Sequence, residues 1–121
     1  MTRKSILVVD DSPTERRAIS TSLRQRGYQV STANDGEEAI MKAKGEQPDL
    51  IVLDVVMPKK NGFQVCRKLK MTPATKDIKV VLLTSKDQET DKFWGMRQGA
   101  DAYLTKPFNG ELLLDTVAGL I

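Results

Sequence analysis

Four polar side chains stand where short aliphatic runs end: Asp10 and Asp11 after Ile6 to Val9, Asp54 after Leu50 to Leu53, and Lys106 shortly after Ala102 to Leu104. Runs of this kind read as buried strands, and in open α/β sheets ligands bind at the carboxyl ends of the strands. Carboxylates brought together there repel one another, and a divalent cation relieves the repulsion. Magnesium suits the donor set, because it takes oxygen ligands and uses one or two carboxylates beside phosphate oxygens and water. The reading makes Asp11 and Asp54 direct ligands, with Asp10 acting nearby or through water. Asp54, held at the edge of the core, is the candidate nucleophile. An aspartate can form an acyl phosphate when the protein supplies position and charge neutralisation. Thr84 closes a fourth aliphatic run, and its hydroxyl and the Lys106 ammonium are donors suited to a new dianion. The pattern points to a phosphorylation switch.

Each residue also has a plainer reading. Asp-Asp-Ser-Pro is a common helix start, Asp54 alone is a turn residue, a strand threonine is structural, and a lone lysine is solvated. The coincidence of polar residues at four strand ends favours the chemical reading. Lys106-Pro107 is also a candidate cis bond that would aim the lysine inward.

Composition narrows the alternatives. A chain of 121 residues suits one domain, residues 1–121, whose output must come from its own surface. The absence of histidine excludes Ser-His and Cys-His nucleophile pairs and imidazole metal ligands, so any phosphohistidine must come from a partner. One cysteine, Cys66, permits no intrachain disulfide, and no segment resembles a membrane span or an export signal. A cytoplasmic location is expected. The net charge of +3 is scattered, which leaves nucleic-acid binding unsupported.

Elements of two periodicities must position these residues. Strands are predicted near 5–10, 28–33, 49–54, 79–84 and 101–105, alternating with helices as repeated βα units. The first helix should start at Ser12, with Pro13 in its first turn and Glu15 in capping-box spacing, and end at Gly27. A second should run from Gly36 to Lys44 and end at Gly45 and Pro48, and a third from Asn61-Gly62 to Lys70. The fourth has Asp87 as its expected N-cap, Glu89 and Asp91 in its first turn, Arg97 near its end, and Gly99 closing it. Gly95 inside it costs about 1 kcal/mol relative to alanine, which predicts the softest element and the one that moves. A last helix, Asn109 to Leu120, should bury Leu112, Leu113, Val117 and Leu120.

With these residues in place the chain resembles bacterial response-regulator receiver domains of the CheY-like kind over essentially its whole length. The likeness lies in Ile6-Leu7-Val8-Val9-Asp10-Asp11, Leu53-Asp54-Val55-Val56-Met57-Pro58 with Asn61-Gly62, Leu83-Thr84-Ser85, and Gly99 through Phe108. The resemblance implies a flavodoxin-like α/β fold, a five-stranded parallel sheet in order 2-1-3-4-5 with helices on both faces. It implies phosphoryl transfer from the phosphohistidine of a cognate histidine kinase to Asp54, with Mg2+ held by Asp11, Asp54 and the backbone carbonyl of Val56. Thr84 and Tyr103 would be a switch pair: Thr84 moves toward the phosphoryl group and Tyr103 turns into the space it leaves. A narrower likeness, in Asp11 to Glu15, Thr84 to Gly95 and Arg97 to Ala100, is to stand-alone regulators of type IV pilus twitching motility, the PilH-like group.

Val56 and Lys86 lie two residues beyond Asp54 and Thr84, where side chains can reach the water that attacks an acyl phosphate. An apolar valine cannot orient that water, which predicts slow hydrolysis. Output should run through the face of the fourth helix, fifth strand and fifth helix, with Lys92, Trp94 and Arg97 as candidate contacts; Trp94 packed in the core is the alternative. The chain is expected to be a monomer, with a phosphorylation-linked dimer as the alternative, and not a multiple-turnover enzyme. An aspartyl-phosphate hydrolase is disfavoured because its Asp-x-Asp pattern is missing: Val56 follows Asp54 by two, and Ser12 follows Asp10. A flavodoxin-like carrier would bring phosphate against Asp10 and Asp11. A passive module leaves the acid, hydroxyl and lysine set unexplained, and a phosphate sink in another chemosensory circuit stays open.

Overall fold

Alternation along each buried strand sends neighbouring side chains to opposite faces of a sheet, and this divides the interior into two cores. The computed structural model describes residues 3–121. Five strands, β1 (Ser5–Val9), β2 (Gln29–Ala33), β3 (Leu50–Leu53), β4 (Lys79–Thr84) and β5 (Ala102–Thr105), pair in parallel in the order β2-β1-β3-β4-β5. Ile6, Val8, Leu50, Val52, Val81 and Leu83 pack on one face against Ile19 and Leu23 of α1 (Pro13–Gln25) and Leu113 and Val117 of α5 (Gly110–Leu120). Leu7, Val9, Ile51, Leu53, Val80 and Leu82 pack on the other against α2 (Gly36–Glu46) and α3 (Gly62–Met71), through Ala39, Ala43, Val65 and Leu69. The fourth helix, α4 (Glu89–Arg97), buries only Gly95 and leaves Phe93, Trp94 and Met96 exposed.

Local expectations met three kinds of correction. Gly45 does not end α2, which continues to Glu46. Gln47 takes the left-handed conformation (φ 51°), and its side-chain amide donates to the carbonyls of Ala43 and Lys44, so the last turn is satisfied without glycine. The N-cap of α4 is Gln88, not Asp87, with the Asp91 carboxylate accepting from the Gln88 N–H at 3.2 Å. Leu112 is 50% exposed; the core stripe of α5 is Leu113 and Val117, with Leu114 and Leu120 flanking. Among the described residues no helix is long and apolar enough to cross a membrane.

Candidate functional site

The carboxyl ends of β1, β3 and β5 converge on one ammonium group. Lys106 Nζ donates to Asp10 Oδ2 at 2.9 Å, to Asp54 Oδ2 at 2.9 Å, and to Glu15 Oε2. The Lys106–Pro107 bond is cis. Asp10 and Asp54 are buried at 1% and 6% exposure, while Glu15 sits at the rim. One oxygen from each of Asp10, Glu15 and Asp54 lies within 4.8 Å of the others, an arrangement of hard donors that could hold a metal ion. Asp11, expected as a direct ligand, is exposed and is not among the three acids whose oxygens converge here.

The two buried aspartates are built alike. Asp10 Oδ1 accepts from the Ser12 N–H at 2.9 Å and Asp54 Oδ1 from the Val56 N–H at 3.1 Å, so each carboxylate spends one oxygen turning the chain out of its strand and the other on Lys106. Thr84, fully buried, repeats the device: its Oγ1 accepts from the Lys86 N–H at 3.3 Å. The turn role at each aspartate therefore uses one carboxylate oxygen and leaves the other to Lys106.

Electrostatics follow from burial and pairing. Burial pushes the Asp10 carboxyl above its usual value; the Ser12 N–H and Lys106 oppose this and the Asp54 charge adds to it. Burial disfavours the Lys106 ammonium, yet its hydrogen bonds to Glu15, Asp54 and Asp10 outweigh that penalty and hold its pKa above the usual lysine value. Three carboxylates face one ammonium, so the cluster has net negative charge to offer a cation.

Glu15 was not anticipated here. Its spacing from Ser12 suggested a capping box, and half of one forms: Ser12 Oγ accepts from the Glu15 N–H at 3.4 Å. The return bond does not, because the Ser12 N–H is taken by Asp10 and the Glu15 carboxylate by Lys106. The available signal was its place in the first turn of the helix that leaves Asp10, where a side chain reaches back over the strand end.

Tyr103 lies inward, at 8% exposure, with its hydroxyl donating to the Lys86 carbonyl at 2.7 Å. The Lys86 ammonium extends toward Asp91, at 3.8 Å, while Val56 is 51% exposed beside Asp54. On α4, Lys92, Trp94 and Arg97 are all exposed, with Phe93 edge-on to Trp94 and the Arg97 guanidinium 5.7 Å from the Phe93 ring centre.

This arrangement has close relatives. Residues 6–118 match the family model of the response regulator receiver domain. The chain is 47% identical over 116 residues to protein PilH of Pseudomonas aeruginosa, covering 96% of each. It is 48% identical over 106 residues to the alkaline phosphatase synthesis transcriptional regulatory protein PhoP of Bacillus subtilis, covering 88% of this chain and 43% of that one. The solved structure of Vibrio cholerae chemotaxis protein CheY4 superposes with a TM-score of 0.93 at 37% identity, over 99% of this chain and all of that one. The fold, the strand-end acids and the match across residues 6–118 lead to one assignment: this chain belongs to the response regulator receiver domain family.

Proposed function

We propose that Asp54 accepts a phosphoryl group from the phosphohistidine of a partner kinase, and that the modification changes which proteins the α4-β5-α5 face binds. The observation that carries this reading is the triple hydrogen bond from Lys106 to Asp10, Glu15 and Asp54, which gathers residues from three strand ends around one carboxylate. Asp54 Oδ2 attacks phosphorus; the new O–P bond forms as the N–P bond of the donor breaks, and its electron pair stays on the departing imidazole. Lys106 exchanges its bond to Asp54 Oδ2 for one to a phosphoryl oxygen, a charge-assisted contact. Thr84 Oγ1 supplies the second donor on the opposite side, and Tyr103 reports that movement to the surface. Asp10, Asp11, Asp54 and the Val56 carbonyl, with Glu15 beside them, would hold magnesium, which neutralises carboxylate and phosphoryl charge when bound.

The chain acts as one receiver unit and assists its own single-turnover phosphorylation and dephosphorylation. Likeness to PilH over 96% of both chains supports a place in type IV pilus twitching motility. A connector or phosphate sink in another chemosensory circuit is the second reading, supported by the likeness to the chemotaxis protein CheY4.

Incubation with acetyl phosphate and magnesium, followed by intact-protein mass measurement, tests the acceptor. The wild type should gain one phosphoryl group only when magnesium is present, and Asp54→Asn none. Equal labelling of the variant, or labelling in chelator, would overturn the assignment.

A further inference from the structure

Glycine inside a helix is unfavourable relative to alanine, and Gly95 sits in the middle of α4 with no backbone reason to be glycine. Its φ lies outside the left-handed region and its neighbours are regular helix. The reason lies in space. A Cβ at this position would stand 2.7 Å from Tyr103 Cδ2, 2.9 Å from Tyr103 Cε2 and 2.9 Å from Leu82 Cδ1. Contacts this short cannot persist, and an aromatic ring edge cannot bend away as the end of a lysine can. The ring is also tethered from its far end, since its hydroxyl donates to the Lys86 carbonyl at 2.7 Å. It is confined between that carbonyl and the bare backbone of α4.

We propose that Gly95 is the positioning residue for the buried pose of Tyr103: the side chain missing from α4 is the space the ring occupies. The inference deepens the switch reading above and rests on it only for its functional consequence. A methyl group at 95 closes the inward site, so the ring leaves and its bond to Lys86 is lost. Because Phe93, Trp94 and Met96 of the same helix are exposed, α4 has little other burial to hold it. Tyr103 and Gly95 therefore act as a lock and its keyhole, and the ring holds α4 in place through its one buried residue.

The test uses the full chain with fluorotyrosine incorporated in a Tyr28→Phe background, which leaves Tyr103 as the one tyrosine. Gly95→Ala should move the fluorine resonance from a buried to a solvent-exposed position and lower the thermal midpoint. Gly45→Ala, in α2 with open space around the added Cβ, should raise the midpoint and leave the resonance alone. In a Tyr103→Ala background Gly95→Ala should lose most of its penalty, which separates a clash with the ring from general damage to the helix. A resonance unchanged by Gly95→Ala, with a midpoint raised as in Gly45→Ala, would overturn the proposal. So would an equal penalty with and without the tyrosine ring. All of these readouts concern the unphosphorylated protein, so they stand or fall separately from phosphoryl acceptance, which mass measurement at Asp54 reads.

Discussion

Gly62 lies so close to the main chain of Asp54 that a Cβ on it would stand 2.2 Å from the Asp54 carbonyl oxygen and 2.7 Å from Val55 Cα. Its N–H donates to the Val55 carbonyl at 2.9 Å, so the first residue of α3 is clamped against the turn that presents the candidate acceptor. The colliding atoms are backbone and cannot swing aside. Gly62→Ala is expected to cost about 3 kcal/mol in urea unfolding, the upper end for overpacking, and to slow acetyl phosphate labelling of whatever protein folds. A loss under roughly 0.5 kcal/mol, the scale of ordinary surface changes, would mean that the loop can move away freely.

Lys106 neutralises part of a buried acidic cluster, and its side chain is 10% exposed. Lys106→Met leaves Asp10 and Asp54 without their shared donor. Removing one partner of a buried ion pair is expected to destabilise the fold by about 3 kcal/mol in chelator, and added magnesium should return part of that loss by binding the folded acids. Unfolding curves that coincide with and without magnesium would count against a metal at this cluster.

Burial, and then the charges of Asp91, Asp54 and Asp87, push the Tyr103 phenol up from 10.0 to about 12. The folded chain thus keeps this proton longer than the unfolded chain does. Its contribution to stability is intact below pH 10.0 and is lost as pH rises toward about 12. Ultraviolet titration of the Tyr28→Phe variant should show phenolate forming near pH 12 in the folded protein, and an ordinary tyrosine curve there would refute the inward pose in solution.

Val56 places an exposed apolar side chain two residues beyond Asp54. Val56→Asn gives an attacking water a hydrogen-bonding partner and should speed loss of the phosphoryl group by about tenfold, roughly 1.4 kcal/mol of barrier. Phosphoprotein decay followed by mass measurement provides the check. The same decay rate in both proteins would exclude a role for this position in hydrolysis.

Strand positions, the two-faced sheet and the strand-end acids could all be read along the chain, because each depends on near neighbours. Alternation in Ile6-Leu7-Val8-Val9 divides its side chains between two cores whatever the helices are. Asp10 and Asp54 close their strands with bonds spanning two residues, and such bonds form from local geometry alone. Errors gathered where a residue had a choice of partners. Glu15 could cap its own helix or reach Lys106, and the ammonium won. Gly45 had the right chemistry to end α2, yet Gln47 capped it with its side chain.

The order of elements and the residues offered at the sheet's carboxyl edge were legible in the chain alone, since periodicity, capping and turn chemistry act over a few positions. Tertiary packing brought Lys106 to Asp54, Glu15 and Asp10, which lie 52, 91 and 96 residues away. It alone settled that Leu112 faces solvent and that Tyr103 fills the space left open by Gly95. Those outcomes depend on competition among groups brought together by the crossovers of a parallel sheet, and no short window of the chain holds all the competitors at once.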